Sequence, residues 1–206
     1  IQENARTVQN EVDKAISLIL KSEIKTTGSG RTDTGVHALS QVAHFDFDEK
    51  IDSSFLYRVN SLLDNDISIN SLHEVKNNIS ARYDALEREY IYKINSIKSP
   101  FLSKRSLYYP RTINIKLINE ACNILLLHND FKSFSKVKTD VKNFNCQIFK
   151  AELVSEGKNY RFIISSNRFL RGMVRTIVGT LLQLNEGKLD IKDFENINMS
   201  ILEKFF

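Results

Sequence analysis

The densest group of chemically capable side chains lies in residues 28–35, which read GSGRTDTG. Three glycines in eight residues permit positive φ angles and let a ligand approach the backbone closely. Asp33 lies two residues from Arg31, so an Arg–Asp pair directed at a ligand is one interpretation of this segment. The other interpretation is a tight loop in which Asp33 hydrogen-bonds its own backbone, a common role for aspartate.

The spacing of this segment excludes two common nucleotide-binding loops. Asp33 stands where a dinucleotide fingerprint has its third glycine, and Val36 and His37 replace the Lys-Ser/Thr pair of a P-loop. The four histidines form no HExxH or Hx3–5H pattern, so a metal site is not expected. Neither Cys122 nor Cys146 has a local signature of a nucleophile or of a disulfide framework.

A second candidate is an arginine on a strongly apolar helix predicted over residues 169–184. Arg168, Arg171 and Arg175 interrupt its apolar surface at i, i+3 and i+7. Glycines one turn to either side of Arg175, the first of them Gly172, indicate that something approaches this face closely. An arginine there is costly unless a carboxylate pairs with it, or unless it reaches solvent from the edge of the apolar stripe.

The elements that position these residues follow from apolar periodicity. Helices are expected after the caps Thr7, Asp52 or Ser53, and Asn114, in addition to the one ending near residue 184. The predicted strands are residues 24–27, 41–47, 67–70, 72–75, 89–96, 147–155 and 159–165. Helices interspersed with strands and hairpins predict an α+β fold whose sheet is covered by helices on one side.

Composition limits the class of protein. The chain has 206 residues, 42% of them apolar, and no apolar run approaches the roughly 18 residues of a membrane span. Its first residues carry no secretory signal, and its two cysteines suit a reducing compartment, so we expect a soluble cytoplasmic protein. Pro100 and Pro110 bracket the expected joint between an N-terminal lobe, residues 1–99, and a C-terminal lobe, residues 100–206.

The net charge of +4 is less informative than its distribution. Residues 90–119 contain six cations and no acid, and residues 157–185 contain five cations and no acid. Such segregation makes a positive face that a polyanion can bind, although lysine-rich stretches are more often solvated surface. Aromatic residues among these cations could stack on bases or could belong to the core. They are Tyr108, Tyr109, Phe131, Phe134 and Phe144.

Four ordered blocks of sequence resemble the tRNA pseudouridine synthase A family. The first is GSGRTDTGVHA at residues 28–38 with its continuation QVAHF at residues 41–45. The others are ARYDALEREYIY at residues 81–92, DFKSF at residues 130–134 and FLRGMVRTIVG at residues 169–179. The resemblance covers nearly the whole chain.

The resemblance implies a specific reaction and a role for each site residue. Such enzymes isomerise uridine to pseudouridine at positions 38–40 of the tRNA anticodon stem-loop, without a cofactor or a metal. Asp33 matches the catalytic carboxylate that attacks the flipped nucleotide, at C1′ or at C6, and Arg175 matches its basic partner. Tyr90 matches the tyrosine that stacks on the target base, and Arg31 matches the arginine that helps to displace the uridine.

The resemblance also implies an architecture and partners. Two ferredoxin-like lobes share a central antiparallel sheet, with the active-site cleft between them, and family members are homodimers in which one tRNA contacts both subunits. They carry a further strand before the part that matches residue 1 and another after the part that matches residue 206. From the acid-free stretches we expect four cations to contact the RNA: Lys104, Arg105, Arg168 and Arg171.

Two other functions remain open at this point. One is a non-catalytic RNA-binding protein on the same scaffold, which the joint presence of Asp33, Tyr90 and Arg175 disfavours. The other is a phosphotransferase with an aspartate nucleophile, which requires a cluster of metal-binding carboxylates that the sequence near Asp33 does not contain.

Overall fold

The computed structural model of the chain describes residues 6–136 and 143–196. The chain divides into two compact units, and the boundary along the sequence lies between Ala85 and Leu86. The sequence places the joint further along, at residue 100. The difference arises because the strand Arg88–Asn95 pairs over its whole length with Asn159–Ser166, which makes it part of the second unit.

The first unit begins with α1 (Val8–Leu20), as the sequence predicts. The hydroxyl of Thr7 caps it by accepting a hydrogen bond from the backbone N–H of Asn10 at 3.3 Å. Its apolar face buries Ala15 and Ile16 in a small core that also contains Phe55. This core holds α1 beside the second helix of the unit.

The strands of the first unit are shorter than predicted. β1 (Thr27–Gly28) pairs antiparallel with β2 (Ala43–His44) over two residues, at the base of the glycine-rich loop. The predicted strands at residues 67–70 and 72–75 do not form. At Ile69 the reason is a side chain of the second helix, because the carboxamide of Asn60 bonds both the N–H and the carbonyl of Ile69, at 2.8 and 2.9 Å. A side chain therefore satisfies backbone groups that a neighbouring strand could otherwise pair.

The helix α2 (Phe55–Leu62) starts later than predicted. Ser54 occupies its N-cap position, rather than Asp52 or Ser53. The carboxylate of Asp52 instead accepts the backbone N–H and the hydroxyl of Ser54, at 2.7 and 2.5 Å. Asp52 thus orders the turn that precedes the helix.

The second unit contains a four-stranded sheet in the order β4-β3-β6-β5. Its strands are β3 (Arg88–Asn95), β4 (Leu107–Tyr108), β5 (Ile148–Glu156) and β6 (Asn159–Ser166). Only the short β3–β4 pair is parallel. The β5–β6 hairpin is confirmed, and Gly157 in its turn has a φ of 67°, a conformation that favours glycine.

Helices cover one face of this sheet. The helices α3 (Ile115–Leu127) and α4 (Met173–Asn185) share a single hydrophobic core with β3, β5 and β6, and the short α5 (Ile191–Glu195) adds Phe194. Asn114 caps α3 as predicted, by accepting the backbone N–H of Leu117 at 3.1 Å. Both units combine helices with strands, which confirms the α+β class. No helix in the described ranges is long and apolar enough to cross a membrane.

A side chain of α3 reaches the outer edge of β5. The carboxamide of Asn119 accepts the backbone N–H of Leu153 at 2.7 Å and donates to the carbonyl of Leu153 at 3.1 Å. Both backbone groups of Leu153 therefore face away from β6. This pair of bonds fixes the position of the helix along the strand.

Candidate active site

The glycine-rich loop of residues 28–35 leaves β1 and carries the first candidate residues. Asp33 is half-buried and Arg31 is exposed. The backbone carbonyl of Asp33 accepts the N–H of Val36 at 3.1 Å, which closes a turn. Gly35 lies in this turn with a φ of 83°, where a side chain would be strained. The loop thus presents Asp33 from an ordered turn.

A glutamine that the sequence did not mark as functional braces the same loop. The Gln41 side chain donates from Nε2 to the carbonyl of Gly30 at 2.7 Å. Beside it, the N–H of Ser29 donates to the carbonyl of Val42 at 2.8 Å. These bonds tie the first half of the loop to the chain that returns from it.

Three polar side chains of α1 hold the backbone that enters the loop. Gln9 donates to the carbonyl of Thr26 at 2.5 Å, and Asp13 accepts both the N–H and the hydroxyl of Thr26. One turn further on, the hydroxyl of Ser17 accepts the N–H of Ile24 at 2.9 Å. The i, i+4, i+8 spacing of these residues beside the apolar stripe of α1 is a signal that could have identified them.

In the second unit, Tyr90 lies on β3, opposite Ile164 of β6. Its ring is half-buried and meets the ring of Phe169 edge to face, with ring centroids 5.1 Å apart. Phe169 lies in the turn that leads into α4. The sequence shows both aromatic residues but carries no signal that they touch, because β3 and α4 are far apart in the chain.

Arg175 lies in the first turn of α4 and is exposed. The predicted helix over residues 169–184 begins too early, because Gly172 has a φ of 77° and interrupts the helical backbone. Arg168 and Arg171 therefore precede α4, and the expected row of three arginines along one helix is wrong. Arg168 is half-buried, whereas Arg171 is exposed.

The expectation of a close approach at Gly172 is confirmed. A Cβ atom there would lie 3.2 Å from Cγ of Lys136, whose backbone N–H donates to the carbonyl of Arg171 at 3.0 Å. At Gly179 nothing beyond its own stretch of helix lies within 4 Å of the corresponding position among the described residues, so the expected close approach is wrong for this second glycine. The chain at Lys136 therefore packs across the turn that carries Arg171.

The other predicted RNA-binding cations, Lys104 and Arg105, are both exposed. They follow a single 3-10 turn, Pro100–Leu102, and Lys104 adopts a left-handed φ of 67°. Within residues 6–136 and 143–196, no group of three or more His, Cys, Asp or Glu could hold a metal ion.

The structure separates the five candidate aromatic residues into two groups. Tyr109, Phe131 and Phe134 are at most 8% exposed and belong to the core, so stacking on bases is wrong for these three. Phe144 is half-buried, with the ammonium of Lys132 5.5 Å from its ring centroid. Tyr108 is 47% exposed and remains able to contact a ligand.

The candidate residues are divided between the two units. Asp33 and Arg31 belong to the first unit, while Tyr90 and Arg175 belong to the second. In the second unit, Phe169 lies between β6 and α4 and contacts Tyr90, and Arg168 and Arg171 are close to Phe169 in the sequence. An aromatic pair on a segment that also carries cations is suited to binding a nucleotide.

Comparison with known proteins gives consistent matches. A family model described as tRNA pseudouridine synthase matches residues 121–202. The tRNA pseudouridine synthase A of Parabacteroides distasonis is 42% identical over 199 residues, covering 96% of this chain and 79% of the relative. That of Porphyromonas gingivalis is 42% identical over 201 residues, covering 95% and 80%. The tRNA pseudouridine synthase A 2 of Bacillus cereus is 36% identical over 197 residues, covering 94% and 80%.

Proposed function

Because this chain belongs to the tRNA pseudouridine synthase A family, we propose that it isomerises uridine to pseudouridine in tRNA, at positions 38–40 of the anticodon stem-loop. The observation that carries the proposal is similarity at 42% identity over 96% of the chain. That span includes the loop of Asp33 and the helix of Arg175. In this proposal the protein acts in the cytoplasm, where tRNA is present.

The reaction breaks the N1–C1′ bond of uridine and forms a C5–C1′ bond in its place. The proton on C5 leaves and N1 takes up a proton, so the product has the atoms of the substrate and no electrons are transferred. The balance therefore requires no cofactor. What the protein supplies is a nucleophile, a means of holding the detached base, and a site for a nucleotide that has left the helical stack.

Asp33 is the nucleophile in this proposal. Its position in the braced turn of the glycine-rich loop suits a side chain that must meet one carbon atom of the substrate. Arg175 is its cationic partner. A guanidinium orients a carboxylate through charge-assisted hydrogen bonds.

Tyr90 and Arg31 handle the base. The Tyr90 ring stacks on the target uracil, and the edge-to-face contact with Phe169 supports the orientation of that ring. Arg31 is exposed on the loop and is long enough to occupy the space that the displaced uridine leaves. These roles follow from the family resemblance, residue by residue.

The proposed enzyme has two lobes, residues 1–99 and residues 100–206, and the family resemblance supports this division. In this proposal each lobe has a ferredoxin-like topology and the catalytic cleft lies between the lobes, whereas β1 and β2 form a sheet separate from the four-stranded one among the described residues. Lys104, Arg105, Arg168 and Arg171 contact tRNA phosphates. The active form is a homodimer in which one tRNA contacts both subunits, and light scattering of the pure protein tests the dimer directly.

The proposed activity is tested with tRNA whose uridines carry tritium at C5. Pseudouridine formation releases this tritium to water, since C5 exchanges its proton for the bond to C1′. We expect release by the unaltered protein and none by Asp33→Asn, with tRNA affinity retained by both. Asp48→Asn, which changes an exposed acid in the same unit, is the matched control and should remain active.

Two results would contradict the proposal at different points. Equal tritium release from the unaltered protein and from Asp33→Asn would remove Asp33 as the nucleophile. Salt-dependent tRNA binding with no release by any variant would indicate a non-catalytic RNA-binding protein instead.

A further inference from the structure

An exposed apolar surface lies in the second unit outside the residues proposed for catalysis. It comprises residues 97–108, the 97–108 segment. Phe101 is 89% exposed, and Tyr108, at the other end, is 47% exposed. Ile97 and Leu107 are also partly exposed, at 51% and 36%. Single exposed apolar residues are ordinary, but four within twelve residues, two of them aromatic, make this segment a candidate for contact with a partner.

The backbone that carries these side chains is ordered. Pro100 starts a 3-10 turn in which Ser103 donates to its carbonyl, and the N–H of Arg105 donates to the carbonyl of Leu102 at 3.0 Å. At the other end, Tyr108 lies on β4, which pairs with β3. The two rings are thus presented on fixed backbone, and ordering them on binding costs little conformational entropy.

The charged side chains of the segment are all positive. Lys98, Lys104 and Arg105 are exposed within it, and the chain contains no acid from residue 90 to residue 119. Aromatic rings on which bases stack, next to cations that contact the phosphates, are the components of single-stranded nucleic acid sites. The segment has both components.

We propose that the 97–108 segment binds unpaired nucleotides of the tRNA. Phe101 stacks on a base, Tyr108 offers a second ring, and Lys98, Lys104 and Arg105 contact the phosphates. The contact is separate from the target uridine, and it rests on the proposed function only in that tRNA is the substrate. It identifies Phe101 as an RNA-binding residue that sequence spacing had not indicated.

Charge complementarity favours RNA over a second copy of this chain. In a two-fold symmetric contact centred on this segment, the segment of one copy meets the segment of the other, so both sides of the contact carry positive charge. Such a contact is unfavourable, because like charges repel in a partly desolvated interface. A polyanion neutralises the same cations.

The chain contains no tryptophan, which permits a direct test. The variant Phe101→Trp places one fluorophore on the segment and keeps an aromatic ring. We expect addition of unmodified tRNA to quench its fluorescence, and the quenching to saturate at the affinity that fluorescence anisotropy of labelled tRNA gives. Leu127→Trp is the matched control, since Leu127 is 82% exposed at the end of α3 and lies in no basic stretch.

Affinity measurements separate stacking from charge. Loss of one base–aromatic stack corresponds to about 5- to 150-fold weaker tRNA binding, expected for Phe101→Ala and Phe101→Leu but not for Phe101→Trp. The salt dependence of binding should stay unchanged in Phe101→Leu. For Lys104→Gln it should become less steep, by about 0.7 in the slope of log K against log salt.

Three outcomes would overturn this inference. They are unquenched Phe101→Trp at saturating tRNA, wild-type affinity of Phe101→Leu, and emission from Phe101→Trp that depends on protein concentration and not on RNA. The last result would indicate a second copy of the chain on this surface. Tritium release is measured on the same preparations, so an active enzyme with an unquenched tryptophan refutes the segment's role and leaves the proposed function intact.

Discussion

The carboxylate of Asp13 accepts two hydrogen bonds from Thr26, one from the backbone N–H at 2.9 Å and one from the hydroxyl at 2.6 Å. Both residues are buried, at 8% and 5% exposure. Thr26 immediately precedes β1, and β1 leads into the loop that carries Asp33. The position of the proposed nucleophile therefore depends in part on a helix outside the loop.

Replacing Asp13 with alanine should weaken both stability and turnover. The variant leaves two buried donors of Thr26 without an acceptor, which costs about 1–3 kcal/mol each in the free energy of unfolding. Asp13→Asn keeps the acceptor oxygen and should lose less of both. Urea unfolding and single-turnover tritium release measure the two effects.

Thr26 offers the control for the same contact. Thr26→Ser preserves both donors, whereas Thr26→Val removes only the hydroxyl. If the contact positions the loop, Thr26→Ser should lose less turnover than Thr26→Val. Both variants should keep the tRNA affinity of the wild type. Wild-type turnover by Asp13→Ala in the fraction that stays folded would show that the contact only stabilises the unit.

Phe169→Leu should reduce activity through Tyr90. The substitution keeps an apolar side chain but removes the edge-to-face contact at 5.1 Å, a contact that contributes about 0.5–1.5 kcal/mol. If that energy orients Tyr90 on the base, kcat/KM should fall by about 2- to 10-fold. Phe169→Tyr keeps a ring and should stay near the wild-type value, and equal loss by both variants would contradict the role of the contact.

Glu186, directly after α4, should make stability depend on pH. Its carboxylate bonds Lys188 at 2.8 Å and Arg111 at 3.0 Å and accepts the hydroxyl of Tyr109 at 3.2 Å. The hydrogen bond from Lys188, together with the charges of Arg111 and Lys188, lowers the pKa of Glu186 in the folded state.

A lowered pKa in the folded state stabilises the protein above the ordinary pKa of a glutamate, and this contribution disappears as the pH falls through the lowered value. Wild type should therefore melt at a higher temperature than Glu186→Gln near neutral pH. The difference should shrink on acidification, since both proteins then carry a neutral group at this position. Melting curves recorded over that pH range test the sign, and a constant difference would contradict it.

Both cysteine thiols should be inert in the folded protein. Cys122 and Cys146 are at most 2% exposed. Burial raises the pKa of Cys122 to about 12 and also raises the pKa of Cys146, so little thiolate forms and reagents have no access to it. Ellman's reagent at about pH 8 should react slowly with the native protein and rapidly in denaturant. Fast labelling of either cysteine in the native protein would show that the core around it opens to solvent.

Features set by neighbouring residues could be predicted from the sequence. Thr7 and Asn114 cap their helices as expected, and Gly157 closes the predicted hairpin, since each signal acts within a few residues. The predicted start of α4 was wrong, because an apolar run does not reveal that Gly172 adopts a left-handed conformation. The strands expected near Ile69 fail because a side chain from another element takes up its backbone groups.

The residues of the candidate site also divide into those that the local sequence reveals and those that it does not. Asp33 and Arg31 are conspicuous in the sequence because they lie among glycines, and the roles of Tyr90 and Arg175 came from the family resemblance. The sequence did not show which aromatic side chains are exposed, since Tyr109 is buried while Tyr108 beside it is exposed. Tyr108 is the last residue of β4, whereas Tyr109 follows the strand, packs into the core and donates its hydroxyl to Glu186 at 3.2 Å.

The bonds between Asn119 and Leu153 have a consequence for how this protein can assemble. β5 is the outer strand of its sheet, and an outer strand with free backbone groups invites another chain to add to it, the first step towards fibrous aggregates. At Leu153 the carboxamide already fills that place. An incoming strand would have to displace the Asn119 side chain at this point, so the edge of β5 is closed to backbone pairing at Leu153.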